Sequence, residues 1–125
     1  MTAFQVVYTN HARERVMQRG VPPEVLAAMR RGNCSRVRIL ASFERHGEAC
    51  IVRASAGFWI HVRDGPLIFT VYCVPAGQRF VRWCRDHLAN PSEIARLLRL
   101  RPQLSWRQRV TDELAAEWLA PDERS

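Results

Sequence analysis

The chain has 125 residues, which suits one domain, and its 47% hydrophobic content excludes wholesale disorder. Its 19 basic residues are all arginine and outnumber the 12 acidic residues, which gives a formal net charge of +7. No stretch approaches the roughly 20 apolar residues of a membrane span, and residues 1–8 are too short and too uncharged for a secretory signal. We therefore expect a cytoplasmic protein with no membrane partner, whose charge favours nucleic acid as its partner.

The N-terminal part of the chain predicts a short strand followed by two helices. Residues 4–8 have strand character, and either Thr9 or Asn10 can cap a helix that starts at residue 11. That helix should end at Arg19–Gly20, because glycine accepts the left-handed conformation of a helix end. Two consecutive prolines then suit the first turn of a second helix, which a Gly-Asn pair ends.

The middle of the chain changes to the two-residue period of β-strands. Strands are predicted at residues 35–42, 49–54, 57–63 and 66–74, and Asp64–Gly65 predicts a hairpin turn between the last two. The spacing indicates an antiparallel meander. The expected fold is therefore α+β, with two N-terminal helices packed on one face of a four-stranded antiparallel sheet.

The C-terminal part of the chain predicts helices again. One helix starts at residue 78, another at Pro91–Ser92, and a last one spans residues 105–119. We divide the chain into a helix–helix–sheet core over residues 1–76 and a C-terminal helical extension over residues 77–125, both belonging to one domain.

The four cysteines, Cys34, Cys50, Cys73 and Cys84, include no Cys-x-x-Cys pair. In a cytosolic protein they are expected to be reduced. Cys84 and His87 have the spacing of half a metal site on a helix, but the sequence offers no second half with suitable spacing. We therefore expect neither a metal nor a cofactor.

The first helix carries the sharpest candidate site. His11, Arg15 and Arg19 are spaced four residues apart, so they share one helix face. Phosphodiester chemistry needs such groups, because imidazole moves protons near neutral pH and guanidinium groups hold a phosphate. The alternative is a solvated, charged helix face with a histidine near its cap.

A second candidate surface lies on the predicted sheet. Two strands each present an alternating set of side chains on one face: Trp59, His61 and Arg63 on one, and Ile68, Thr70 and Tyr72 on the next. If these faces coincide, aromatic rings and arginine line one surface, which suits unstacked bases. The alternative is an ordinary solvated face, or one covered by the C-terminal helices. The residues predicted to contact nucleic acid are Arg36, Arg38, Trp59, His61 and Arg63.

The segment over residues 11–21, His-Ala-Arg-Glu-Arg-Val-Met-Gln-Arg-Gly-Val, followed by Pro23-Glu24-Val25, resembles the opening of a family of small bacterial domains of unknown function. Their pattern reads His-Ala-x-x-Arg-x-x-x-Arg-Gly-Ile and ends in a Thr-Val-Tyr-like strand, which Phe69-Thr70-Val71-Tyr72 matches. The likeness covers residues 8 to 74. That family is similar to the barnase–EndoU–colicin–RelE ribonuclease superfamily.

The resemblance implies a metal-independent endoribonuclease that acts as a bacterial toxin, with RNA as substrate and an antitoxin or immunity protein as partner. It implies that His11 is the general acid or base and that Arg15 and Arg19 hold the scissile phosphate. It further implies that Thr70 and Tyr72 position RNA or assist proton transfer. The helical extension from residue 78 lies outside the family pattern.

Two other functions fit the same sequence. One is a non-catalytic nucleic-acid-binding or regulatory protein from a phage or mobile element. The other is a protein-interaction module whose basic face meets an acidic partner. The enzyme reading predicts RNA cleavage, the binder predicts salt-sensitive binding without product, and the interaction module predicts indifference to nucleic acid.

Overall fold

A computed structural model of the protein describes residues 5–40 and 47–101, in which helices cover both faces of a five-stranded sheet. The predicted α+β class is confirmed. Within these ranges no helix has the length and apolar character needed to cross a membrane. In chain order the elements are β1 Val7–Tyr8, α1 Asn10–Arg19, α2 Pro23–Arg30, β2 Ser35–Arg38, β3 Glu48–Ala54, β4 Gly57–Asp64, β5 Leu67–Val74, α3 Gln78–His87, a 3-10 turn Pro91–Glu93 and α4 Ile94–Leu98.

Helix α1 begins and ends at residues suited to those roles. The Thr9 hydroxyl accepts a hydrogen bond from the Ala12 amide at 3.2 Å, so Thr9 is the cap rather than Asn10. Gly20 ends the helix with φ of 59°, a left-handed conformation that costs glycine little. Both ends agree with the sequence-based prediction and fix which side chains of α1 face the sheet.

The sheet differs from the predicted one at one edge. Strands β2 to β5 form the expected antiparallel meander, in the order β5-β4-β3-β2, but β1 adds a fifth strand parallel to β5. The Val7 amide donates to the Pro66 carbonyl at 2.7 Å, and the Thr9 amide donates to Ile68 at 3.1 Å. The prediction of a four-stranded, wholly antiparallel sheet is therefore wrong. A strand of two residues has too little periodicity to reveal its pairing partner.

Two hydrophobic layers lie on opposite faces of the sheet. Helices α1 and α2 bury Ala12, Val16 and Leu26 against one face. On the other face α3, the residue that follows it and α4 pack their buried side chains, which include Phe80, Trp83, Cys84, Leu88 and Leu97. The expectation of helices on one face only is therefore incomplete, because part of the C-terminal extension covers the second face. The predicted helix over residues 105–119 lies outside the described residues, as do Phe4 and the end of the first predicted meander strand.

Helix α3 is anchored at both ends. Near its start, the Phe80 ring stacks on Phe58 of β4 with ring centres 3.6 Å apart. Just past its end, Leu88 forms a bridge with Ile39, and the Leu40 amide donates to the His87 carbonyl at 2.7 Å. The helix therefore crosses the sheet from its β4–β5 side to its β2 edge.

Candidate nucleic-acid site on the first helix

His11 and Arg15 contact each other on the exposed face of α1. The Arg15 Nε donates to His11 Nε2 at 3.3 Å, and Arg15 Nη1 donates to Gln18 Oε1 at 2.7 Å. In this contact Arg15 is the donor and the imidazole nitrogen of His11 is the acceptor. The spacing-based prediction that His11 and Arg15 share a face is confirmed.

Arg19 lies two helical turns further along, at the edge of the sheet. Its Nη1 donates to the backbone carbonyl of Val71 in β5. In the part of the chain that the structure describes, β1 pairs with β5 at Leu67 and Ile68, so the carbonyl of Val71 is beyond this pairing and can accept a hydrogen bond from a side chain. A guanidinium has five N–H donors, and those of Arg19 that do not bind Val71 can donate hydrogen bonds to a phosphate.

Tyr72 is next to Arg19 and faces the α3 layer. Its hydroxyl oxygen accepts a hydrogen bond from Trp83 Nε1 at 2.9 Å. Burial raises the pKa of Tyr72, while the Trp83 hydrogen bond and the Arg19 charge oppose that shift. The phenol therefore stays protonated at neutral pH, and its proton can still be donated.

The two predicted strand faces do not coincide. Thr70 pairs with Val62 and Tyr72 pairs with Ile60, so both belong to the face of the sheet that α3 covers. His61 belongs to the opposite face, and the prediction of one surface shared by His61, Arg63, Thr70 and Tyr72 is wrong.

The cause is a β-bulge between β4 and β5. Arg63 pairs with Ile68 but the preceding residue, Val62, pairs with Thr70, which leaves Phe69 as an extra residue. Ile68 consequently packs in the α1–α2 layer while Tyr72 packs against the α3 layer, although both have even numbers. If Phe69 had paired with Val62 in regular alternation, His61 would have paired with Thr70 and the predicted faces would have coincided.

Trp59 and His61, predicted to contact bases, lie in the core under α1 and α2. Trp59 is 4% exposed and His61 is fully buried, so RNA cannot reach either ring in this fold. Burial lowers the pKa of His61 to about 4, although nearby backbone groups of Cys50 and Trp59 partly oppose the shift. Neither ring nitrogen has a hydrogen bond of good geometry within the described residues. His61 is a neutral core residue.

The three predicted sheet arginines differ in their surroundings. Arg36 and Arg38 are exposed on β2, at the sheet edge farthest from β1. Arg63 is half-buried, and its Nε lies 3.0 Å from Oε1 of Glu48 on the neighbouring strand. Only Arg36 and Arg38 therefore have the exposure that a phosphate contact needs.

A basic face on α3 was not part of the prediction. Arg79, Arg82 and Arg85 are exposed on the side of α3 opposite its buried Phe80 and Cys84. The spacing of three residues between these arginines, along a helix with an apolar stripe, is the sequence signal that could have identified this face.

Cys84 and His87, the possible half metal site, both lie on α3 but in different surroundings. Cys84 is fully buried in the α3 layer, and His87 Nδ1 lies 2.9 Å from the Trp83 carbonyl. Across residues 5–40 and 47–101 no three His, Cys, Asp or Glu side chains are grouped as metal ligands would be.

Comparisons with known proteins leave the resemblance of the opening motif as a hypothesis. No family model, no curated protein and no solved structure matches this chain.

Proposed function

We propose that this protein is an RNA endonuclease that needs no metal and acts as a bacterial toxin in the cytoplasm. The observation that carries the proposal is the contact between His11 Nε2 and Arg15 Nε on an exposed helix face. A proton acceptor and a phosphate-binding cation are adjacent there, and both are accessible to a large substrate.

The contact suggests how the substrate would activate the site. A phosphate is a stronger acceptor for guanidinium than a neutral imidazole, so it would draw Arg15 away from His11. The released His11 Nε2 would take the proton of the adjacent ribose 2′-hydroxyl. The 2′-oxygen would then attack phosphorus, and the 5′-oxygen would leave with a proton from solvent. The products would be a 2′,3′-cyclic phosphate and a 5′-hydroxyl.

Arg19 and Tyr72 would hold a different part of the same strand. His11 and Arg19 are eight positions apart on the helix, which is about 12 Å along the axis. No hydrogen bond or ion pair joins His11 to Thr70 or Tyr72 within the described ranges. We therefore assign Arg19 and Tyr72 to a neighbouring phosphate, where they position RNA rather than move the proton that His11 moves.

Cleavage assays with purified protein in EDTA test the proposal. We expect the wild type to cut RNA into fragments with cyclic phosphate ends, and His11→Ala to lower the rate at least about 100-fold. Arg15→Ala should lower the rate as well. Arg85→Ala removes an exposed arginine from α3 and is the matched control, with an expected change below about threefold. Failure of the folded wild type to cut any of several RNAs would exclude the enzyme.

A non-catalytic nucleic-acid-binding protein is the second candidate. It is favoured by the separation of His11 from Tyr72 and by the exposed arginines on α3. Its signature would be RNA affinity that falls steeply with salt, with no product and no effect of His11→Ala on the bound lifetime.

The toxin setting has its own test. Induced expression in a bacterium should arrest growth for the wild type but not for His11→Ala, at equal protein levels. An antitoxin or immunity protein would then be recognised by its relief of that arrest. Growth arrest by both forms would argue for binding rather than cleavage.

A further inference from the structure

Cys34 and Cys50 lie side by side on the face of the sheet that α1 and α2 cover. Cys50 is in β3 and pairs with Arg36 of β2, and Cys34 is two residues before Arg36. Because side chains alternate along a strand, Cys34 belongs to the same face as Arg36 and is a diagonal neighbour of Cys50. Both side chains belong to the same hydrophobic cluster, in which Cys50 is buried and against which Cys34 packs.

The two thiols have different surroundings. The pKa of Cys34 is lowered, first by the Cys50 hydrogen bond and then by the charges of Arg36 and Arg63, against the opposing effects of burial and Glu48. The pKa of Cys50 is raised, by the same hydrogen bond and by burial. The surroundings therefore favour the thiolate form at Cys34 more than at Cys50.

Neither of the other two cysteines has a lowered pKa next to a second thiol. Burial raises the pKa of both Cys73 and Cys84, and neither lies beside a second thiol. Arg63 adds a further polar contact to the pair, because its Nη1 donates to Cys50 Sγ at 3.9 Å.

Cys34 is also the accessible member of the pair. Cys50 is fully buried, whereas Cys34 is half-buried in the bend that precedes β2. It lines an open cavity of about 90 Å³ together with Asn33, Arg53 and Arg101. One water molecule occupies about 30 Å³ in the liquid, so a small oxidant such as hydrogen peroxide fits this space.

We propose that Cys34 and Cys50 form a redox-active dithiol that hydrogen peroxide converts to a disulfide. The Cys34 thiolate attacks one peroxide oxygen, the O–O bond breaks, and hydroxide leaves, so that Cys34 becomes a sulfenic acid. The Cys50 sulfur then attacks the Cys34 sulfur. The S–S bond forms, the S–O bond breaks, and the leaving oxygen takes the Cys50 proton to become water. A thiol reductant reverses the change.

The disulfide would tie the segment between α2 and β2 to β3. Since Cys34 is outside the regular pairing of β2, its backbone can adjust to disulfide geometry without breaking the sheet. Closing a loop of this size restricts the unfolded chain and should raise Tm by several degrees.

The test uses the full-length protein, treated with hydrogen peroxide and then digested without reduction. We expect one intramolecular disulfide, mapped by mass spectrometry to the peptides holding Cys34 and Cys50, and its loss after dithiothreitol. The Cys73→Ser/Cys84→Ser double variant is the matched control and should form the same disulfide at a similar rate.

Single variants separate the two thiols. Cys34→Ser should abolish peroxide consumption by the pair, whereas Cys50→Ala should leave a sulfenic acid on Cys34 that dimedone labels. Because Cys50 is buried, circular dichroism is used to check that Cys50→Ala folds. If that variant does not fold, the mass-spectrometric mapping of the wild-type disulfide tests the proposal on its own. A persistent sulfenic acid in the wild type, or a first reaction at Cys73 or Cys84, would overturn the proposal.

Discussion

The guanidinium of Arg19 donates a hydrogen bond to the backbone carbonyl of Val71, which joins the last residue of α1 to the middle of β5, beyond the residues of β5 that pair with β1. The contact holds one end of the helix that carries His11 and Arg15. It also fixes the direction in which the free N–H groups of Arg19 point. One side chain therefore serves both the fold and the proposed phosphate site.

Replacement of Arg19 by methionine should keep the helix but lose this contact. We expect the free energy of unfolding to fall by about 1 kcal/mol, the usual net value of such a hydrogen bond, together with weaker RNA binding. Urea unfolding and filter binding measure the two effects. Arg15→Met is the control for stability, since its contacts are exposed, and an equal loss of stability in both variants would contradict the anchoring role.

Replacement of Tyr72 by phenylalanine removes the acceptor of the Trp83 indole N–H while keeping the ring. A nearly buried donor without a partner costs about 1 to 3 kcal/mol, so we expect a clear drop in the urea midpoint. The RNA cleavage rate should fall less than about tenfold, because Tyr72 is assigned to positioning. A loss as large as that of His11→Ala would instead place Tyr72 among the catalytic groups.

Burial of neutral His61 makes stability depend on pH. The folded-state pKa is about 4 and the ordinary value is 6.5, so between these values the unfolded chain binds a proton that the folded chain does not. The free energy of unfolding is therefore unaffected by this group above pH 6.5. It falls as the pH is lowered from 6.5 towards 4, by up to about 3 kcal/mol. Urea titrations from pH 7 to 4 measure it.

A His61→Leu variant is the control for that titration, since leucine is apolar and does not ionise. Its unfolding free energy should decline less steeply over the same pH range than that of the wild type. Parallel curves for the two proteins would show that other groups cause the acid sensitivity.

Gly57 tolerates no side chain at the start of β4. Its φ is +145°, and an added Cβ would lie 2.5 Å from the Val74 carbonyl oxygen, which is backbone and cannot move aside cheaply. We expect Gly57→Ala to destabilise the protein by more than about 2 kcal/mol. Gly47→Ala, where nothing lies within 4 Å, should change stability by less than about 0.5 kcal/mol. Thermal unfolding of the two variants side by side measures the contrast.

Phe80 links α3 to the sheet through its stacked contact with Phe58. It is fully buried, so Phe80→Ala should cost about 3 to 5 kcal/mol. We expect α3 and the sheet to unfold as one unit. The unfolding midpoint of Phe80→Ala should therefore fall by the same amount whether it is followed by tryptophan fluorescence or by circular dichroism. Separate transitions would show that α3 unfolds independently of the sheet.

Local patterns in the sequence predicted most of the elements, because each leaves a signal within a few residues. The Thr9 cap, the Gly20 stop and the Asp64–Gly65 turn are such signals, and the buried face of α2 follows from its periodicity. The His11–Arg15 contact was predictable for the same reason, since residues four apart on a helix are neighbours.

Features that depend on pairing between distant segments could not be predicted in this way. The parallel contact of β1 with β5 depends on two residues, and the neutral state of His61 depends on which helices lie over its strand. The contact between Arg19 and Val71 joins residues that are 52 positions apart. Such relationships follow from the packed fold and leave no periodic signal in the sequence.

The bulge at Phe69 gives β5 one residue more than its pairing with β4 needs. Deleting Phe69 would place Thr70 directly after Ile68 and leave both with their present partners on β4, so the pairing would become regular. Val71 would stay in the layer under α1 and α2, and Tyr72 would stay against α3. The surface beside Arg19 should therefore survive the loss of one residue at this position, whereas an extra residue between Thr70 and Val71 would move Tyr72 to the opposite face of the sheet.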